Sequence, residues 1–175
     1  MKKKLRYIIG SIIGFSIFVL IIPCLLFLVA KGFNSLMPIK LINNQFLQTI
    51  IAIPLFIFGL GYEIWANVAL FKIGKGGPLE GTGFAVSPPT EKLVTTGPYQ
   101  YTRNPMMLGN FLTYIAVAIF LDSVMILIVL AAFLTHTIYY FKFGEEKRLL
   151  RDFGDEFIEY KKRVPMFIPY IKIRK

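Results

Sequence analysis

Residues 106–143 read MMLGNFLTYIAVAIFLDSVMILIVLAAFLTHTIYYFKF, and the predicted fold follows from this segment. Two apolar runs, Met106–Leu121 and Val124–Phe143, are separated only by Asp122 and Ser123. Because so short a connection returns the second run alongside the first, the stretch predicts an antiparallel helical hairpin. The first run is short for a full crossing of a bilayer, which implies tilt, local thinning or an extension into the interface.

The composition places the whole chain in a membrane. Of 175 residues, 55% are hydrophobic, 15% aromatic and 17% charged, and the mean hydropathy is +0.61. Soluble domains hold about 45–50% apolar residues, so these values exclude a soluble globular domain and a disordered chain. The single cysteine, Cys24, excludes an intramolecular disulfide and is interpreted as a packing residue.

Two further apolar runs precede the hairpin, at Tyr7–Ala30 and Phe46–Phe71. Each exceeds the roughly 20 residues that a helix needs to cross a bilayer. The first run is interpreted as a retained span that Pro23 can kink, because no A-x-A cleavage pattern follows it. In the second, Gly59 and Gly61 are predicted to let helices approach closely. The chain is therefore predicted to be an all-α integral membrane protein with about four transmembrane helices.

The distribution of positive charge predicts the orientation in the membrane. Eighteen of the twenty Lys and Arg residues lie before residue 7, between residues 72 and 103, or after residue 141, whereas Lys31 and Lys40 lie in the remaining loop. Because positively charged loops stay in the cytoplasm, both termini and the loop 72–103 are predicted to be cytoplasmic. The net charge of +10 is thus assigned to orientation at membrane lipids and not to nucleic acid.

The tail predicts one more helix, over residues 145–164. Its apolar residues recur at helical spacing and form one face, which is expected to lie against the membrane or the bundle. Gly154 is expected to break this helix in two. The chain is accordingly divided into N-terminal transmembrane helices, 1–71, and a core of cytoplasmic loop, hairpin and tail helix, 72–175.

Two segments that flank the hairpin carry the candidate chemistry. Residues 93–106 read LVTTGPYQYTRNPM, and residues 145–165 read EEKRLLRDFGDEFIEYKKRVP. Over about residues 90–169 the chain resembles the isoprenylcysteine carboxyl methyltransferase family with its phospholipid methyltransferase relatives, whose signature reads L-V-x-x-G-x-Y-x-x-x-R-H-P, then E-E-x-x-L-x-x-x-F-G-x-x-Y-x-x-Y-x-x-x-V-P. Both halves occur in order around the hairpin, which makes the pair specific.

The resemblance implies an integral membrane methyltransferase that uses S-adenosylmethionine. The methyl acceptor would be lipophilic, the carboxylate of a prenylcysteine-like or other lipid substrate, and would enter from the bilayer. The cofactor would occupy a cytoplasm-facing cavity capped by the C-terminal helix. The residues implied for cofactor binding are Leu93, Val94, Tyr99, Asn104, Pro105, Met106, Met107 and Glu145, and those implied for catalysis are Arg103, Asn104 and Glu145.

Two positions depart from the family pattern. Asn104 stands where the family has histidine, so this side chain can form hydrogen bonds but cannot titrate. Phe141 stands four residues before Glu145, where the prenylcysteine enzymes place a substrate-binding arginine. A phospholipid amine N-methyltransferase therefore stays open as an alternative, as do an NADPH-dependent membrane reductase of the sterol-reductase kind and a non-enzymatic membrane interaction protein.

Each candidate residue also has a purely structural interpretation. Asn104, placed before Pro105, is a natural N-cap for the helix that begins there. Glu145 at the start of a helix can favour the helix dipole. Tyr99 can be an anchor at the membrane interface, and Arg103 can be a lipid-facing cation.

Two polar residues lie inside the predicted spans. A functional role is the default hypothesis for Glu63, because ionisable residues are costly in a membrane. His136 is interpreted as a hydrogen-bonded interior group, and without a second His or Cys nearby no metal site is predicted. An amine acceptor would need a base, for which Glu145, Glu146 and Glu63 are the candidates.

Overall fold

The computed structural model describes residues 3–80 and 86–168. Outside these ranges lie four of the cations counted for the orientation, Lys2, Lys172, Arg174 and Lys175, and the last residue of the family-like region, Pro169. The longer elements that the model describes are all helices: α1 (Lys3–Phe15), α2 (Ile22–Leu36), α3 (Gln45–Ala69), α4 (Pro105–Phe120), α5 (Val124–Tyr140) and α6 (Glu146–Arg163). The predicted all-helical class is confirmed.

Within the described residues, three continuous helical stretches are long and apolar enough to cross a membrane: Lys4–Leu36, Gln45–Gly74 and Val124–Arg163. They are continuous because π-helical segments join α1 to α2 and α5 to α6 and extend α3. α4 has 16 residues, fewer than the roughly 20 needed for a crossing without tilt. The chain is thus a membrane protein, and the fourth span stays a prediction.

The irregularity predicted at Pro23 takes the form of a π-helical segment, Ser16–Ile21, just before the proline. Proline has no N–H, so the carbonyl of Val19, four residues earlier, has no helical donor at this position. Such a local adjustment is a common response of a helix to proline in a membrane. The hydroxyl of Tyr114 on α4 donates to the Phe18 carbonyl at 2.8 Å, so a neighbouring helix bonds the backbone of the bulge.

α3 and α4 cross with their backbones in contact. A Cβ on Gly59 would lie 2.7 Å from the Thr113 nitrogen, and a Cβ on Gly109 would lie 2.7 Å from the Glu63 nitrogen. Neither position can hold a larger residue without separating the helices. The predicted role of Gly59 is confirmed, whereas that of Gly61 is wrong, since no atom of another described element lies within 4 Å of a Cβ built there.

The hairpin of α4 and α5 turns at residues 121–123, as predicted. Asp122 has φ +51° in this turn. Its Oδ1 accepts hydrogen bonds from the backbone N–H groups of Leu41 at 2.7 Å and Ile42 at 3.2 Å. The tip of the hairpin therefore holds the connection between α2 and α3, and α2 shares a buried apolar cluster with α4 and α5.

α6 contains the break predicted at Gly154, which has φ 51° and ψ −127°. The helix buries an apolar face through Phe157, Tyr160 and Val164, against which Leu93 of the loop packs. The tail helix therefore packs on the loop that precedes the hairpin, which brings the two signature segments together.

Candidate active site

A cavity of about 760 Å³ lies among α1, α3, the loop before α4, and the ends of α4, α5 and α6. Its wall includes all nine residues that the sequence predicts as catalytic or cofactor-binding, namely Leu93, Val94, Tyr99, Arg103, Asn104, Pro105, Met106, Met107 and Glu145. The hairpin returns the chain to the side where it began, so the segments before and after it can share one wall. The structure brings the predicted residues together, and their roles stay predictions.

The loop half of the wall is built on a glycine turn. Gly97 has φ +63°, a conformation that favours glycine, and it begins the 3₁₀ helix Gly97–Gln100. This turn buries Tyr99 beside Val94 against α3. Tyr99 is 8% exposed, and burial raises the pKa of its phenol. Tyr99 is therefore a buried neutral phenol, and its interpretation as an interface anchor is wrong.

Asn104 occupies the N-cap position of α4, and Pro105 is the first helical residue, as predicted. The Asn104 side chain makes no capping hydrogen bond to the helix. Its Nδ2 instead donates to the Met166 carbonyl at 3.1 Å, and Thr102 Oγ1 donates to the same carbonyl at 2.9 Å. Asn104 thus fixes the segment that follows α6 beside the cavity.

Arg103 is paired inside the protein. Its Nη1 donates to Glu146, whose other carboxylate oxygen accepts from Lys161. The side chains of Arg103 and Glu146 are each 9% exposed, so the interpretation of Arg103 as a lipid-facing cation is wrong. Arg103 Nε is buried and has no hydrogen-bond partner among the described residues. The cavity wall therefore includes a buried N–H donor, Arg103 Nε, that could bind an acceptor of a ligand.

Glu145 forms a two-pronged ion pair with Arg148. Arg148 Nη2 lies 2.6 Å from one carboxylate oxygen and Nε lies 3.1 Å from the other. Arg148 also binds Glu80 of the loop, which accepts a hydrogen bond from Thr90. Glu145 lies in continuous helix between α5 and α6, so the backbone N–H groups that follow it are not a free helix end, and the dipole interpretation is wrong.

Sequence reasoning did not single out Arg148 or Glu80. The spacing of Glu145 and Arg148, three residues apart on a helix, is a signal for their pairing. Glu80 lies 68 residues from Arg148 in sequence, so no local pattern indicates that contact.

Glu63 and Asn110 face the cavity where α3 and α4 cross. Asn110 is 3% exposed. Glu63 Oε2 and Asn110 Oδ1 are both buried, and neither has a hydrogen-bond partner in the part of the chain that the structure describes. Asn110 follows Gly109, the residue of closest helix contact, and was missed because an amide in an apolar run gives no pattern of its own.

Two residues interpreted as interior lie at the surface. His136 is exposed and lines the cavity, so it is not a packed interior group. Cys24 is exposed on α2, so its interpretation as a packing residue is wrong. Over residues 3–80 and 86–168, no group of three or more His, Cys, Asp or Glu side chains is placed to hold a metal ion.

The chain is similar to known methyltransferases over its core. A family model described as phospholipid methyltransferase matches residues 47–156, from α3 into α6. Proteins named protein-S-isoprenylcysteine O-methyltransferase from Mus musculus, Rattus norvegicus and Homo sapiens are each 35% identical over 83 residues. That match covers 47% of this chain and 29% of each relative, so it spans less than a third of their length. No solved structure gives a significant match.

Proposed function

Because the chain belongs to the phospholipid methyltransferase family, we propose that it is a membrane enzyme that transfers a methyl group from S-adenosylmethionine to a lipophilic acceptor. The observation that carries the proposal is the convergence of both signature segments on one cavity. The similarity to isoprenylcysteine O-methyltransferases supports a lipidated acceptor. A prenylcysteine-like carboxylate and a lipid amine both belong to this class.

The polar groups of the wall fit the cofactor. S-adenosylmethionine carries a carboxylate, for which Arg103 Nε is a buried donor without a partner among the described residues. The first N–H groups of α4, at Met106 and Met107, would support the same negative charge. Glu145 would accept hydrogen bonds from the ribose hydroxyls. Leu93, Val94 and Tyr99 would form the apolar surface for the adenine ring.

Bound S-adenosylmethionine supplies a methyl group on positively charged sulfur. Transfer of this methyl group requires the nucleophile, the methyl carbon and the sulfur to lie in line, so the protein contributes mainly by orienting the reactants. Asn104 would contribute indirectly, because its hydrogen bond to the Met166 carbonyl holds the segment after α6 against the cavity. That segment and α6, whose Leu149 and Phe153 line the cavity, would exclude water.

We also propose that α4 is a fourth span, with the termini and the mouth of the cavity in the cytoplasm. The basic residues outside the spans support this orientation, because they concentrate before α1, between α3 and α4, and after α5. The 16 residues of α4 would cross where the bilayer thins locally or where flanking residues extend the span into the interface.

Isothermal titration calorimetry on the purified protein tests the proposed cofactor. We expect S-adenosylmethionine and its demethylated product to bind, and NADPH not to bind. Incubation with S-adenosylmethionine carrying a labelled methyl group, followed by lipid extraction, should then place the label in a lipid. Binding of NADPH alone would contradict the methyltransferase and favour the reductase.

A further inference from the structure

The carboxylates on the cavity wall differ in their partners. Over the described residues the wall includes Glu63, Glu80 and Glu145. Glu80 and Glu145 both bind Arg148. Glu63 Oε2 is buried with no hydrogen-bond partner in the described ranges. Glu63 is therefore the cavity carboxylate that has no cation paired with it among the described residues.

Asn110 adds a second unpartnered oxygen at the same place. It is 3% exposed, its Oδ1 has no partner in the residues described, and it lines the cavity. A Cβ built on the preceding residue, Gly109, would lie 2.9 Å from the Cβ of Glu63, so the two polar side chains leave their helices at one crossing. A buried polar group without a partner is destabilising, and a ligand with N–H donors would relieve that cost.

The carboxylate of Glu63 at this crossing favours a positively charged ligand. Glu63 and Asn110 offer two acceptor oxygens, one of them on a carboxylate, and these match an ammonium group that has several N–H donors. A carboxylate ligand would meet like charge there. The cavity cations Arg103 and Arg148 are bound to glutamates, and the remaining donor of Arg103, Nε, is the one proposed above for the cofactor carboxylate.

The crossing also lies apart from the proposed cofactor contacts at the start of α4. Asn110 follows Asn104 by six residues, which is about 9 Å along a helix axis at 1.5 Å per residue. This leaves room for cofactor and acceptor to lie side by side in one cavity.

Resting on the proposed function, we propose that Glu63 and Asn110 form the acceptor subsite, that the acceptor is a lipid amine, and that Glu63 takes its proton. One N–H proton of the ammonium moves to Glu63 Oε2, which leaves a nitrogen lone pair. That pair forms the bond to the methyl carbon while the carbon–sulfur bond breaks and its electron pair stays on sulfur. The products are an N-methylammonium lipid, a neutral thioether and protonated Glu63, which then releases its proton to water.

Other titratable groups face the cavity or Glu63 and enter the test. They are Tyr7 on α1, Tyr99 in the loop, Tyr114 on α4, His136 and Tyr140 on α5, and Tyr160 on α6. Of these types, histidine is the one that ordinarily titrates near neutral pH. His136→Gln is therefore the control variant for any pH dependence.

Binding of a quaternary ammonium tests the subsite without turnover. Dodecyltrimethylammonium, which cannot lose a proton, should bind the protein in nanodiscs at least tenfold more tightly than an uncharged tert-butyl analogue of equal chain length. Glu63→Gln should abolish this preference while the affinity for S-adenosylmethionine changes less than twofold. Asn110→Leu, a second variant that keeps the carboxylate, should weaken binding of dodecylamine, whose ammonium form can donate an N–H hydrogen bond to Asn110 Oδ1.

Turnover tests the proton transfer. With dodecylamine as acceptor, Glu63→Gln should lower kcat/KM about 100- to 1000-fold at pH 7.5, because an amine with a pKa near 10.4 is then about one-thousandth neutral. At pH 10.5 about half of the amine is neutral, so the variant should recover to within tenfold of the wild type. His136→Gln should follow the wild type at both pH values.

Several results would overturn the subsite. Weaker binding of S-adenosylmethionine in Glu63→Gln would assign Glu63 to the cofactor, and wild-type protein that methylates dodecanoate better than dodecylamine would assign the site to carboxylates. Loss of rate at pH 7.5 in His136→Gln would assign the base to His136. Wild-type protein that binds no S-adenosylmethionine would instead contradict the proposed function, so the two failures are distinguishable.

Discussion

Glu146→Gln is expected to lower the free energy of unfolding by about 3 kcal/mol. Glu146 is 7% exposed, and its carboxylate binds both Arg103 and Lys161. The variant leaves the Arg103 guanidinium, whose side chain is 9% exposed, without a counter-charge. Removing one partner of a buried ion pair costs about 3–5 kcal/mol, and the value here falls at the lower end because glutamine keeps one acceptor oxygen.

The same substitution elsewhere on α6 gives a matched control. Glu159 pairs with Lys162 at 2.7 Å, but both side chains are more than 60% exposed. Exposed pairs contribute little, so Glu159→Gln should unfold like the wild type. Lys161 is half exposed, so its own share of the Glu146 contact is small and Arg103 accounts for most of the expected loss.

Thermal unfolding in detergent, followed by the helical circular dichroism signal, measures the effect. For a chain of this size, about 3 kcal/mol corresponds to a decrease in Tm of roughly 6–12 °C. The double variant Arg103→Gln with Glu146→Gln should lose less stability than the two single variants added together. A Tm for Glu146→Gln within 2 °C of Glu159→Gln, or additive effects in the double variant, would refute the buried pair.

Four further outcomes are expected. Glu145→Gln should weaken S-adenosylmethionine binding about ten- to hundredfold by calorimetry on folded protein, because a charge-assisted hydrogen bond is worth about 1.5–3 kcal/mol; unchanged affinity would remove this residue from the site. Tyr160→Phe should lower the free energy of unfolding by about 1–3 kcal/mol, because it removes the 2.6 Å hydrogen bond to the Tyr99 carbonyl. Gly109→Ala should lower the Tm, because its Cβ would lie 2.7 Å from the Glu63 nitrogen, and an unchanged Tm would contradict the close crossing. Tags at the two termini should show the same protease accessibility in sealed vesicles, and opposite accessibility would contradict four spans.

The fold was largely predictable because its signals are local. Apolar run lengths and the two-residue connection at Asp122 and Ser123 define the helices and the hairpin. The break in α6 follows from one glycine, Gly154, whose φ is +51°. The roles of Gly59 and Gly61 could not be separated from sequence, because they lie on different faces of α3 and only the tertiary packing decides which face meets α4.

The residues of the candidate site could be predicted where they belong to the family signature. Their partners could not be predicted where the contact joins residues far apart in sequence. All nine predicted residues line the cavity, yet the partners of the charged ones come from elsewhere. Glu80 binds Arg148 across 68 positions, and Asn104 binds Met166 across 62. The dipole interpretation of Glu145 failed for a related reason, since a sequence pattern does not show that α5 continues through a π-helical segment into α6.

The crossing of α3 and α4 connects the packing of the fold to the chemistry proposed for it. Gly59 and Gly109 let the two backbones touch, and Glu63 lies one turn from Gly59 while Asn110 follows Gly109 directly. Helices held apart by larger side chains would admit lipid or other side chains between them, and the two oxygens would be separated. The same close contact leaves no atom of the described chain at the crossing that forms a hydrogen bond with Glu63 Oε2 or Asn110 Oδ1. The unpaired state of these two groups is thus a consequence of the packing, and the cavity is the direction from which a partner can reach them.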